Sequence, residues 1–168
     1  MKNALRLVAA ALCLVGCARH GNGVASFDLP PGVIHETTRD IEFHSFRWGT
    51  NDTMALFMMS PHPAGLNRAM VEKIASDAAS QLEPAMRKIE GVEDLSTETR
   101  DFAAGDFTGK EIVCKLRMKD GKTVYQAMHI LWDGTRLWQG QLTGTKEDDL
   151  EMVERILRSK TKDLRTSP

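Results

Sequence analysis

The chain opens on an apolar block, Leu7 to Val15, with Lys2 and Arg6 before it and Cys17 and a polar, glycine-rich stretch after it. Beyond that stretch the hydrophobic positions recur with two different periods. Ser26 to Leu29 alternates briefly until Pro30 and Pro31 end it. Proline lacks the N–H that a central ladder needs, so this segment reads as an edge strand running into a turn. From Asp40 to Trp48, Ile41 and Phe43 lie at period two, as do Phe46 and Trp48. The phase slips at His44-Ser45, which predicts a bulge. Gly49 to Asp52 is turn chemistry. Thr53 to Ser60 is an apolar run containing Met54, Leu56, Phe57, Met58 and Met59. The two runs predict a hairpin, which Ser60-Pro61-His62-Pro63 terminates.

From Leu66 to Ile89 the period becomes helical. Leu66, Met70, Ile74, Ala78 and Leu82 fall at successive i+4 steps, and Val71 and Ala75 widen the stripe. Asn67 is the candidate cap. Pro84 is expected to kink the helix or end its first part, because its ring clashes with the preceding turn. Gly91 is a suitable stop. Strand patterning then returns. Leu95 to Phe102 is polar and peripheral. Phe107 to Met118 sets Ile112, Cys114, Leu116 and Met118 on one face and Glu111, Lys115 and Arg117 on the other, with Val113 the exception. Asp120-Gly121 and Asp133-Gly134 adopt positive φ cheaply and predict tight turns. They join Thr123–Trp132 and Thr135–Thr143 into an antiparallel meander. Thr145-Lys146-Glu147-Asp148 resembles a capping box. It opens a helix with Leu150, Val153 and Leu157 on one stripe and Ile156 beside it. Lys160, Lys162 and Arg165 close that helix at its negative end. The reading is one α+β domain over residues 26–162, with an N-terminal hairpin, a C-terminal meander, and a central and a C-terminal helix. Residues 163–168 read as a flexible tail.

The first block is too short to cross a bilayer, which takes about 20 apolar residues. With two cations and no acid before it, it suits the apolar part of a secretory signal. Leu14-Val15-Gly16-Cys17 resembles the lipobox of bacterial lipoproteins. An ordinary signal with an incidental Cys is the plainer alternative, but charge, length and box all agree. The resemblance implies a signal peptide over 1–16, cleavage between Gly16 and Cys17, and diacylglycerol on the Cys17 sulfur, with the new amino group usually acylated. Two or more acyl chains hold a protein stably on a membrane. Residues 17–25 become the tether. Ala18, rather than Asp, follows the Cys, which in a Gram-negative host points to the periplasmic face of the outer membrane.

Composition narrows the function classes. The formal net charge is −1 and no dense basic face appears, so nucleic acid is not an expected partner. Cys13 departs with the signal and Cys17 is alkylated. Cys114 alone cannot form an internal bridge, and its apolar setting makes it a small buried hydrophobe rather than a catalytic thiol. Gly-x-Ser-x-Gly, His-Glu-x-x-His, a P-loop and Gly-x-Gly-x-x-Gly are all absent. His20, His35, His44, His62 and His129 lack the spacing that sets two on one metal. His44 and His129 fall in strands, as partly buried ring packers. Met54, Met58 and Met59 with His62 have the softness of a copper site, but a run of Met in an apolar strand is ordinary core filling. Glu90, Glu93 and Asp94 lack the ladder of a calcium loop. No metal and no cofactor is expected. Two candidate partner-binding features remain: the aromatic content around Trp48, Trp132 and Trp138, and the rigid loop carrying His62. Most Trp are core residues, but an exposed one marks interfaces.

The order of elements is itself informative. A short strand ending in Leu29-Pro30-Pro31-Gly32, a hairpin, a helix, a strand entry at Phe107-Thr108-Gly109, a meander and a closing helix resemble the PsbP-like fold. The bacterial lipoprotein relatives of that kind are the DcrB-like and LpqN-like proteins. The resemblance spans nearly all of Ser26 to Lys160 and rests on pattern, not on a diagnostic motif. It implies a curved antiparallel sheet with helices packed on it and a non-catalytic binding or accessory role. Fold alone fixes no ligand. The expected function is therefore a lipid-anchored envelope protein that is not an enzyme and binds a protein partner. An immunity lipoprotein against a periplasm-acting toxin stays open as an alternative. So does a small hydrolase or metal-handling enzyme whose site is scattered through the sequence.

Overall fold

A computed structural model describes residues 25–38, 42–50, 53–62 and 65–161. The expected signal, lipidation site and most of the tether lie outside these residues, as do Ile41, Pro63 and the expected tail. Ala25, assigned to the tether by its sequence, is instead buried in the domain.

Among the described residues nine strands and two α-helices follow one another: β1 (Ser26–Phe27), β2 (Ile34–Thr38), β3 (Phe43–Trp48), β4 (Ala55–Pro61), α1 (Val71–Arg87), β5 (Val92–Ala104), β6 (Phe107–Met118), β7 (Thr123–Trp132), β8 (Leu137–Gly144), α2 (Asp148–Arg158) and β9 (Lys160–Thr161). Seven strands form one antiparallel sheet in the order β2-β3-β4-β8-β7-β6-β5, while β1 and β9 pair separately. The architecture is α+β with a curved, unclosed sheet. The meander forms as its Asp-Gly turns predict, with Gly121 at φ 81° and Gly134 at φ 94°.

Each face of the sheet carries its own helix. On one face α1 packs over β5, β6 and β7, burying Leu82 and Met86 against Leu95, Ile112, Cys114 and Leu116, and Val71 and Ala75 against Ile130 and Leu137. On the other, α2 buries Leu150, Val153, Ile156 and Leu157 against Phe46, Phe57, Phe107, Trp138 and Leu142. The expected burial of Ile112, Leu116, Leu150, Val153 and Leu157 is met at every position.

Several local expectations give way, each for a physical reason. The pairing of β3 with β2 and β4 is continuous through His44 and Ser45, so no bulge forms there. His44 occupies an inward position in phase with Phe46 and Trp48, because its ring stacks as an aromatic would. The register shift lies instead between Val92 and Asp94. β2 escaped notice because Ile34–Thr38 is exposed along most of its length. Glu111, assigned to a solvent face, is 1% exposed because α2 covers that face as well. In the methionine run only Met59 is core, while Met58 points to the opposite face and Met54 is 49% exposed.

The helix boundaries also shift. A single 3-10 turn over Arg68–Met70 precedes α1, and the Asn67 side chain makes no capping bond. Pro84 lies within α1, which continues to Arg87, so the proline does not end the helix. At α2 the cap residue is Glu147, and Thr145 does not cap through its side chain. Asp149 reaches back instead and accepts the N–H groups of Thr145 and Lys146, each at 3.0 Å. Lys160 does not close α2. It enters β9, beyond a helix that ends at Arg158.

Candidate functional site

Three buried carboxylates organise the interior of the α2 face, and each is bound to specific donors. Asp149 takes the indole N–H of Trp48 at 2.9 Å on one oxygen and the two backbone N–H groups on the other. Asp133 sits in the β7–β8 turn. Its Oδ1 accepts the backbone N–H groups of Thr135 and Arg136 and the Thr135 hydroxyl. Its Oδ2 accepts the indole N–H of Trp138 at 2.8 Å and the Lys160 ammonium at 2.6 Å. Burial works against ionisation of Asp133, but Lys160 and the two backbone donors outweigh it and hold the carboxyl far below the usual range.

Glu111 is the third, and the only one of the three that lines an open cleft. Its Oε2 accepts from Arg100 Nε at 2.6 Å, and its Oε1 lies 3.0 Å from His129 Nε2. The latter approach lacks the alignment of a hydrogen bond. Burial raises the Glu111 pKa, yet His129 and Arg100 together bring it below its ordinary value, so the group stays ionised. His129 is fully buried, with Phe57 and Phe102 edge-on to its ring at 5.4 and 5.1 Å. The cleft above Glu111, about 380 Å³, lies between β5 and α2, where Arg100, Phe102, Leu150, Glu147, Glu151 and Glu154 line it. The Glu111 carboxylate thus joins the Arg100 guanidinium to the buried His129 ring.

A second polar network lies beside Ala25 and β1. His35 Nε2 and His44 Nδ1 are 3.0 Å apart in stacked rings, and Phe27 of β1 meets both edge-on. Burial, then the neighbouring His44, lowers the His35 pKa. Glu42 accepts the Ala25 N–H at 2.9 Å, contacts His44 and pairs with Arg136. These contacts outweigh its burial and lower its pKa.

The sequence-predicted site residues separate. Trp138 is fully buried, Trp48 is 9% exposed, and both belong to the core under α2. Neither presents an exposed aromatic, which corrects the expectation for these two of the three tryptophans. Trp132 is half-buried on the other face. Trp132 and Trp138 do not meet across the turn: Trp132 pairs with Leu137 and Trp138 with Leu131, which puts the two indoles on opposite faces. His62 is half-buried, its backbone N–H bonds the Leu137 carbonyl at 2.7 Å, and burial lowers its pKa. Cys114 is a buried free thiol whose pKa burial pushes up.

The feature that periodicity did not single out is the other half of the α1 face. α1 covers β5, β6 and β7 and makes no extended contact with β2, β3 or β4. The register lines up Ile34, Arg47, Leu56, Thr143 and Gln126 in one cross-strand row, and Glu36, Ser45, Met58, Gln141 and Met128 in the next. Leu56, Met58, Ser45, Arg47, Thr143 and Met128 are half-buried. Arg47 pairs with Glu36, and Thr143 donates to Gln126. Gln141 is 5% exposed, and its Oε1 has no hydrogen-bond partner among the described residues. The signal available in the sequence was the phase of Leu56 and Met58, which is opposite to that of Phe57 and Met59.

No family model matches the chain, and no curated protein matches it. Among the described residues no helix is long and apolar enough to cross a membrane, and no group of three metal-ligating side chains comes together.

Proposed function

We propose that this is a non-catalytic, lipid-anchored envelope protein of PsbP-like kind that holds a protein partner on the helix-free half of its sheet. The observation that carries this reading is the surface over β3, β4 and β8. Half-buried Leu56 and Met58 alternate there with hydroxyl, amide and guanidinium groups. An apolar centre ringed by polar groups and enriched in Met and Arg is the usual make-up of a protein–protein interface. The anchor rests on the lipobox and the charged, short apolar leader that precedes it.

The anchor is tested by metabolic palmitate labelling and membrane fractionation. Cys17→Ser should lose label and leave the membrane fraction. Equal labelling of wild type and variant would remove the anchor from the proposal.

The binding surface is tested in cells with a photo-crosslinking amino acid at Ser45. The expected result is one discrete crosslinked protein, lost in a Met58→Glu background and not formed from Ser80, which is exposed on α1. Identifying that protein separates a resident envelope partner from an incoming toxin. Equal crosslinking from Ser45 and Ser80 would count against the face. Turnover of a peptide, lipid or peptidoglycan substrate, abolished by one point mutation, would overturn the non-catalytic reading.

A further inference from the structure

The sheet has two edges of unlike construction. β2 is five residues long and largely exposed on both faces. β5 is thirteen residues long, pairs among the described residues only with β6, and has a cleft on each side of its C-terminal half. An unpaired strand edge presents a row of backbone donors and acceptors, a template for another strand. What an added strand also needs is room for its side chains, which leave alternately to the two faces.

Arg100–Ala104 supplies that room on both sides. Toward α2 lies the 380 Å³ cleft floored by Glu111 and rimmed by Glu147, Glu151 and Glu154, with one oxygen of Glu111 lacking an aligned donor. Toward α1 lies a second cleft of about 660 Å³, walled by Ala69, Val71, Thr108 and Gly109 and edged by Arg68 and by Glu72 and Asp101, which Lys110 bridges. In the first cleft the acids outnumber Arg100, and the second presents more apolar than polar surface between its charged edges.

We infer that the β5 edge accepts an extended segment of a partner protein by strand addition, with alternating side chains that are basic toward α2 and apolar toward α1. Main-chain bonds to the strand edge would supply affinity, and the two clefts would supply specificity. A second copy of this chain is disfavoured as the occupant, because Glu98 of its own β5, on the same face as Arg100, would meet the acidic rim. A basic segment is drawn there by the same charges. This edge is separate from the half-face over β3 and β4. Failure here leaves that reading standing, and the Ser45 crosslink decides that reading separately.

The probe is an acetylated nonapeptide of alternating lysine and valine. Its controls are a peptide of the same composition in two blocks and an alternating glutamate–valine peptide. Amide hydrogen exchange of the mature domain is followed by NMR, with affinity from fluorescence anisotropy. The alternating lysine peptide should protect amides within Val92–Ala104. It should bind about tenfold more tightly than the block peptide and lose about tenfold in the doubly reversed E147K/E151K variant. Both of those glutamates are exposed, so the variant should keep its fold. Protection at β2 instead of β5, equal affinity of the alternating and block peptides, or indifference to the charge reversal would each overturn strand addition. So would equal binding of the glutamate peptide.

Discussion

Asp133→Ala should lower the unfolding free energy by about 3–5 kcal/mol, the usual cost of removing one member of a buried ion pair. The reason is the number of groups left behind. Lys160 keeps its charge with a side chain only 9% exposed, while the Trp138 indole and two backbone N–H groups lose their acceptor. For a domain whose total stability is about 5–15 kcal/mol this is a large share. Urea unfolding at neutral pH measures it. A loss below about 1 kcal/mol, the net worth of one ordinary hydrogen bond, would mean that Lys160 and Trp138 find other partners.

The same residue sets an acid limit. The folded state holds the Asp133 carboxyl below its ordinary value, so folding disfavours its protonation. Its contribution is therefore fully present above the unfolded pKa of about 4 and is lost as pH falls below that. Asp133→Asn should be less stable than wild type at pH 7 and show a flatter loss between about pH 4 and pH 2. Parallel curves for the two proteins would assign the acid limit to other groups.

The second large effect is expected at Trp138. Its side chain is fully buried, edge-on to Phe107 at 5.9 Å, with the Arg136 guanidinium over its ring at 4.6 Å. Trp138→Ala should cost about 3–5 kcal/mol, while Trp132→Ala, at a half-buried position on the other face, should cost less. Because Trp138 donates to Asp133, the double variant should lose less than the two single losses together. Strict additivity would mean that the indole and carboxylate act independently. A Trp138 variant therefore reads stability, and lost binding in it would say nothing about an interface.

The fold class and the meander were legible because their signals are local. Phe107–Met118 and Thr123–Trp132 match the observed strands residue for residue, since alternation and Asp-Gly turns are written within each strand. The capping geometry was half legible: an acid near the start of α2 was visible, but which one reaches back depends on tertiary contact with Trp48. His129 was legible as a ring packer in a strand, but Glu111 was misjudged because a charged residue in a strand normally marks the wet face. Here both faces are covered, and only three-dimensional pairing with Arg100 allows the carboxylate inside. Asp133 was seen as turn chemistry alone, because its partner Lys160 lies far along the chain. The open half-face was invisible for a related reason. Periodicity tells which residues share a face but not whether a helix lies over them.

The β1–β9 ribbon has a consequence for when the fold can be completed. It pairs Ser26 with Thr161, and the hydrogen bond from the Asp28 N–H to the Ser159 carbonyl extends it. These are contacts between the two ends of the domain, 135 residues apart at Ser26 and Thr161. Loop-closure entropy rises with the logarithm of separation, so such a contact is worthwhile only after the sheet between has shortened the loop. A chain delivered N-terminus first has Phe27 and the His35–His44 stack waiting for a strand that arrives almost last. Until Lys160 emerges, Asp133 has no counter-ion and the corner has no lid. The domain can collect its meander early, but it cannot latch while any part of its last strand is still in transit.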